Sequence, residues 1–265
     1  AASVVLDARA RLAVSASSAS SAERWRQLAD PAIVALQQAG NLQAAATLRD
    51  EFLDLIYGEA HDASRQRQVR DDIGSLMADG YYSAASSLAG DGAELALPGS
   101  TGKRRRDALF QVGLAQGRSG DMKRAEQTFL LLLKDLETQV ATGQLELEGI
   151  LAATLINRGV SLASLGRLTE AVEAYDRAIS IRERLVSDGR TELENDLASA
   201  LMNRGGALAS LGRLTEAVEA YDRAISIRER LVSGGRTELE NNLAGVLVNR
   251  AVSLTSLGRQ TEGVE

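Results

Sequence analysis

Asn157, Asn203 and Asn249 stand 46 residues apart, and an arginine follows each of them, at Arg158, Arg204 and Arg250. These residue types suit recognition rather than bond breaking. A carboxamide offers a donor and an acceptor together, which matches the alternating groups of an extended peptide chain. A guanidinium can grip a carboxylate through two parallel N–H groups. One amide per repeat, at the same phase, makes a ladder. The alternative is that the amides bond within the fold or meet only water, and that the arginines form ion pairs between neighbouring repeats. Ser161, Ser164 and Ser210 fall near the same face, either as small groups that leave room for a ligand or as spacers.

Other constellations lack parts. His61 is the single histidine and there is no cysteine, so histidine–cysteine metal sites and His-based triads cannot be assembled. His61 reads as a surface residue. The stretch LPGSTGKRRR at Leu97–Arg106 invites comparison with a phosphate-binding loop, which needs G-x-x-x-x-G-K-[ST]. Leu97 stands where the first glycine should be and Arg104 replaces the hydroxyl residue, so the stretch reads as a linker followed by a basic helix start. Acidic pairs recur with the repeat on solvent faces and do not suggest a glycosidase dyad. Trp25 reads as a locally packed aromatic. Nothing points to an enzyme, a metal or a cofactor.

The elements that would position the asparagines come from an internal repeat. The 23 residues LGRLTEAVEAYDRAISIRERLVS occur at Leu165–Ser187 and again, unchanged, at Leu211–Ser233. Gly120, Gly166, Gly212 and Gly258 keep the same 46-residue spacing, followed five residues later by Ala125, Ala171, Ala217 and Gly263. Phe129, Tyr175 and Tyr221 come four residues after the alanines. Gly40 with Ala45 and Gly80 with Ala85 carry a fainter version at a spacing of 40. Each clear unit predicts two helices. The first runs from about Thr191 to Leu211, with Leu193, Leu197, Leu201 and Leu208 at helical spacing. Thr191 with Glu194, and Thr237 with Glu240, fit a capping box. Gly212 suits a left-handed helix end. The second helix gathers Ala217, Val218, Tyr221, Ala224 and Ile225 on one face, with Glu219 and Arg223 as an i,i+4 pair on the other, and Gly234–Gly235 ends it. Ala171 and Ala217 are expected at close helix–helix contacts. A lone hairpin cannot bury such a stripe, whereas stacked copies can.

The pattern G-R-x-x-E-A-x-x-A-Y-x-x-A-I, preceded by N-R-G-x-x-L-x-x-L, resembles the tetratricopeptide repeat. Gly159, Leu162, Gly166, Ala171, Tyr175 and Ala178 match its small and aromatic positions in order, as do Gly205, Leu208, Gly212, Ala217, Tyr221 and Ala224. The usual proline after the second helix is absent, and SIRERLVSDGRTELE lengthens both helices. This is similar to the extended repeats of kinesin light chains. The resemblance covers 104–265 well and 1–103 weakly. It implies an all-α fold, an α-solenoid of antiparallel hairpins in a right-handed superhelix, with the first helices lining a concave groove. It also implies that Asn157, Asn203 and Asn249 face that groove, and that a peptide or protein is the partner.

Composition sets limits. A formal charge of −6 and a pI near 5.1 argue against nucleic acid as a partner. No apolar run reaches the roughly eighteen residues of a membrane span. Asp7, Arg9 and Arg11 interrupt any signal-peptide core. The lack of cysteine fits a cytoplasmic protein. The expected organisation is a region of degenerate helical repeats over 1–103, with a linker near 90–103, then repeat units at about 104–148, 149–194, 195–240 and 241–265. The expected function is a non-catalytic peptide-binding scaffold, or else the sensor or structural arm of a larger signalling protein. The final TEGVE matches TEAVE inside a second helix, so more sequence is expected to follow, and the open end of the array invites self-association.

Overall fold

The structure, a computed structural model, describes residues 19–58, 63–90 and 102–258 together with Ala8 and Ala10. No strand occurs among these residues. Helix α1 comprises Ser21–Arg24, a π-helical turn Trp25–Ala29 and Asp30–Gln38. Then follow α2 (Leu42–Tyr57), α3 (Ala63–Ala78), α4 (Tyr82–Ala89), α5 (Lys103–Arg118) and α6 (Met122–Ala141). The repeat region continues with α7 (Glu148–Ser164), α8 (Leu168–Ser187), α9 (Glu194–Ser210), α10 (Leu214–Ser233) and α11 (Glu240–Ser256).

One turn joins the helices of every hairpin. Gly40, Gly80, Gly120, Gly166 and Gly212 all have φ between 75 and 88°, a region that side chains with a Cβ avoid. The N–H of the next residue reaches back into the preceding helix: Asn41 to Leu36 O at 3.0 Å, Tyr81 to Leu76 O at 2.8 Å, and Asp121, Arg167 and Arg213 to Gln116, Leu162 and Leu208 O at 2.9 Å. This is the Schellman arrangement, which satisfies carbonyls that the helix end leaves open. Ala45, Ala85, Ala125, Ala171 and Ala217 are all buried, so each turn delivers a small residue into the contact between its two helices.

The helix starts differ from the sequence expectation. A single 3-10 turn, at Leu145–Leu147, Thr191–Leu193 or Thr237–Leu239, precedes α7, α9 and α11. It moves Thr191 and Thr237 out of the capping position. Leu193 and Leu239 occupy the N-caps, and no side chain caps either helix. Glu194 instead accepts a hydrogen bond of 2.9 Å from Arg230 Nη1 in α10, and Glu148 is paired with Arg184 in the same way. The expected Glu219–Arg223 pair is also replaced. Arg223 reaches Glu183 on the preceding second helix, as Arg177 reaches Glu137. These last two ion pairs tie repeat to repeat, whereas those of Glu194 and Glu148 join the two helices of one hairpin.

Two compact units divide the chain, Ala1–Thr128 and Phe129–Glu265. In the first, Trp25, Ile33, Phe52, Leu53, Val69, Ile73 and Leu88 form the core. Trp25 was expected to pack locally, but its indole N–H donates to Ser87 Oγ, 62 residues away, at 3.0 Å, and its ring lies 6.4 Å from Tyr57. The buried ring needs a partner for its one polar group, and the chain supplies it from α4. Arg49 closes the C-terminal end of α4, donating to the carbonyls of Ser87, Leu88 and Ala89 at 3.2, 2.8 and 3.2 Å, where a cation meets the negative end of the helix dipole. Residues 91–101, which hold most of the expected linker, and His61 lie outside the described residues. Lys103 already belongs to α5.

In the second unit, α7 packs on α8, α8 on α9, α9 on α10 and α10 on α11. The buried stripe of α8 is Ala171, Tyr175, Ala178, Ile179 and Leu185, and α10 repeats it with Ala217, Tyr221, Ala224 and Ile225. Tyr175 and Tyr221 lie directly over Gly159 and Gly205. A Cβ at either glycine would sit 2.5 or 2.6 Å from a ring carbon. Successive first helices, α7 with α9 and α9 with α11, also touch, whereas α8 and α10 approach each other less closely. Leu247 in α11 is 43% exposed, while its counterparts Leu155 and Leu201 are fully buried.

Candidate functional site

The face of α7, α9 and α11 that carries the asparagines is set by the helical repeat. Leu155 and Leu201 point into the packed interior. Asn157 and Asn203 lie two residues further on, about 200° around the helix, and so face away from it. Arg158 and Arg204 lie a further 100° or so around, back toward the flank of the packed side. Neighbours in sequence thus end in different surroundings.

Arg204 pairs through Nε with Asp176 of α8, and Arg250 pairs with Asp222 of α10. Both are contacts from a first helix to the preceding second helix. Arg158 lies near Glu170, whose carboxyl is held below its ordinary value chiefly by a hydrogen bond from Arg167, with Arg158 adding to the effect. The asparagines are more open. Asn157 is half-buried, and its Nδ2 donates to Ala153 O at 2.8 Å, which leaves Oδ1 free to accept. Asn203 is half-buried and Asn249 exposed, and neither side chain hydrogen-bonds to another described group. Ser161 does not join this face. It is buried, and its hydroxyl donates to Asn157 O at 3.1 Å. Ser164 and Ser210 are exposed, with hydroxyls turned back to Val160 O and Gly206 O at 3.0 and 2.9 Å.

Between α7 and α9 the face opens into a cavity of about 240 Å³, lined by Ala153, Ile156, Asn157, Arg182, Asp196 and Ser199. Arg182 rises from α8 beneath the two first helices. It is only 3% exposed, its Nη2 lies 3.2 Å from Asp196 Oδ2, and its Nε is buried with no partner. Burial pushes its pKa down, against the pull of Asp196. One repeat on, Arg228 occupies the same place with different neighbours. Its Nη1 donates to Asn242 O at 2.8 Å and its Nη2 to Ser199 Oγ at 3.0 Å. Sequence reasoning passed over this arginine. The signal was there, because Arg182 falls on the helical stripe of Ala171, Tyr175, Ala178, Ile179 and Leu185, where every other member is apolar or aromatic.

Among the described residues, no group of three or more His, Cys, Asp or Glu side chains is placed to hold a metal, and no helix is long and apolar enough to cross a membrane.

Residues 151–190 and 197–235 match the tetratricopeptide repeat family. These two segments carry the tetratricopeptide repeat. The matched segments span α7–α8 and α9–α10, the hairpins that bear Asn157, Asn203 and the cavity. BtubC (BKLC) from P. vanneervenii shares the fold, with a TM-score of 0.55 and 20% identity, over 83% of this chain and 84% of its own. A putative kinesin light chain from Podosopora anserina with nearly identical TPR-like repeats also superimposes with a TM-score of 0.55, at 16% identity, over 77% of this chain and 92% of its own. At these identities the likeness concerns the fold, which is the all-α solenoid expected from the repeats. No curated protein matches the sequence. Tetratricopeptide repeats are in general non-catalytic scaffolds for protein interaction.

Proposed function

We propose that the first-helix face of this tetratricopeptide-repeat array binds an extended segment of a partner protein in the cytoplasm, with Asn157, Asn203 and Asn249 as successive rungs. The observation that carries this reading is the unused hydrogen-bonding capacity of the three amides. They recur at one phase of the repeat, and the bond from Asn157 Nδ2 to Ala153 O is the only one that the fold draws from them among the described residues. Arg204 and Arg250 act as ties between repeats, and the reading assigns them no contact with the ligand.

The test begins with partners captured from the source cell by this chain. Affinity for a captured partner is then compared between the parent and the Asn157→Ala, Asn203→Ala, Asn249→Ala triple variant. Each lost rung should cost about 1 kcal/mol of binding, the net value of such a hydrogen bond, while thermal melting stays where it was. Unchanged affinity in a folded triple variant would overturn the ladder.

A further inference from the structure

The cavity between α7 and α9 has a chemistry that selects its occupant. We propose that it is a side-chain pocket for a carboxamide, an asparagine or glutamine of the bound segment. This rests on the reading of the first-helix face as the binding face and adds what that face recognises. Arg182 brings a nearly buried guanidinium whose one polar contact among the described residues is Asp196 at 3.2 Å. A guanidinium has five N–H donors, so donors are left over for a ligand oxygen. Asn157 Oδ1 is an open acceptor on the wall, and Asp196 is half-exposed and accepts as well. Ala153 and Ile156 supply the apolar part of the lining.

Charge decides between the possible occupants. Arg182 and Asp196 together are neutral. An incoming carboxylate would meet Arg182 but lie against Asp196, and an incoming ammonium would meet Asp196 but lie against Arg182. Like charges brought together at an interface are strongly disfavoured. A carboxamide has a carbonyl for the guanidinium and two N–H groups for Asp196 and Asn157, with no net charge to place. The next junction shows how the same arginine looks with its donors engaged. There Ser199 stands where Ala153 stood, and its hydroxyl accepts from Arg228, as does the main-chain carbonyl of Asn242, which stands where Asp196 stood. Only Asn157 and Arg182 of the lining keep their residue types there, as Asn203 and Arg228, while Ala153, Ile156, Asp196 and Ser199 give way to Ser199, Met202, Asn242 and Gly245.

The experiment is a titration of the ¹⁵N-labelled chain, followed by NMR, with four probes. These are the N-acetyl N-methylamides of glutamine, glutamate, lysine and alanine. The reporters are the backbone amides of Ile156, Asn157, Asp196 and Ser199 and the Nε–H of Arg182, assigned by its loss in Arg182→Lys. The glutamine probe should give saturable shifts at these reporters, at least about tenfold tighter than the charged probes. The alanine probe, which has main-chain amides alone, should leave the reporters still. Ala153→Ser should abolish the response, because it places a hydroxyl where Ser199 meets Arg228. Asp196→Asn should turn the preference toward the glutamate probe, an inversion that a merely structural role for Asp196 would not produce. No saturable shift, an equal response to all four probes, or a response to alanine matching that to glutamine would each overturn the pocket. A responding pocket together with unchanged partner affinity in the asparagine variants would sink the ladder alone. Silent probes with a lost partner would sink the pocket alone.

Discussion

Two adjacent glycines in α9 separate the demands of packing from those of the backbone. Gly205 faces Tyr221, and a Cβ there would lie 2.6 Å from Cε1 of a ring that is itself buried. Gly206 is one residue on, and its Cβ would meet the Tyr221 oxygen at 3.8 Å, an ordinary contact. Neither residue has positive φ, so both positions accept alanine as far as the backbone is concerned. Gly205→Ala should therefore overpack the hairpin and cost about 1–3 kcal/mol. Gly206→Ala should stabilise by roughly 0.5–1 kcal/mol through helix propensity. Urea unfolding of the two variants checks this, and effects of the same sign would refute the packing of the tyrosine on Gly205. The recurring spacing marked Gly159, Gly205, Tyr175 and Tyr221 as repeat positions in the sequence, and the fold adds that each tyrosine covers its glycine. Arg182 was not legible there, because reading a helix by its apolar members passes over a cation that sits among them.

At the level of the hairpin, the start of each second helix carries an arginine and a glutamate three residues apart. Arg167 donates to Glu170 in α8, and Arg213 to Glu216 in α10. These hydrogen bonds lower both glutamate pKa values below the ordinary 4.5, with burial acting weakly the other way. A carboxyl whose folded pKa is depressed adds stability above its unfolded value, and that stability is lost as the pH falls through the folded value. Thermal stability should therefore stay level from about pH 7 to 5 and decline below 4.5. The Arg167→Gln, Arg213→Gln double variant should decline less steeply on the acid side. The difference is expected to be small because the pairs are exposed and screened, and an identical acid slope in the two proteins would show that the pairs do not persist in solution. The hairpins themselves were readable from glycine spacing, including the fainter ones at Gly40 and Gly80, since a left-handed turn leaves a glycine wherever it occurs. The helix starts were not. A threonine three residues before a glutamate looks the same whether it caps a helix or opens a 3-10 turn, and the choice was made by Arg184 and Arg230 reaching Glu148 and Glu194 from another helix.

For the molecule as a whole, the repeated sequence implies that stability is built from units and the junctions between them rather than from one shared core. The exact identity of Leu165–Ser187 and Leu211–Ser233 gives a direct way to test this. Deleting Gly166–Leu211 removes 46 residues and joins Leu165 to Gly212, so the sequence across the new junction is the one already present at the old. Helix α7 then meets α10, whose residues are those of α8, and Gly159 receives Tyr221 in place of Tyr175. Helix α10 keeps α11 as its other neighbour. Two contacts of Arg228 change in kind, because Ala153 now stands where Ser199 accepted from Nη2 and Ile156 where Met202 Sδ accepted from Nη1. The shortened chain should fold, with the helical signal per residue of the parent and a lower melting temperature, since one hairpin and its junctions are gone. Restoring the hydroxyl with Ala153→Ser in the shortened chain should recover about 1 kcal/mol, the usual net value of one hydrogen bond. Circular dichroism and thermal melts of the three proteins decide the matter. A shortened chain that loses its helicity or binds a hydrophobic dye would show that the repeats depend on contacts beyond their neighbours, as the parts of a single globular core do.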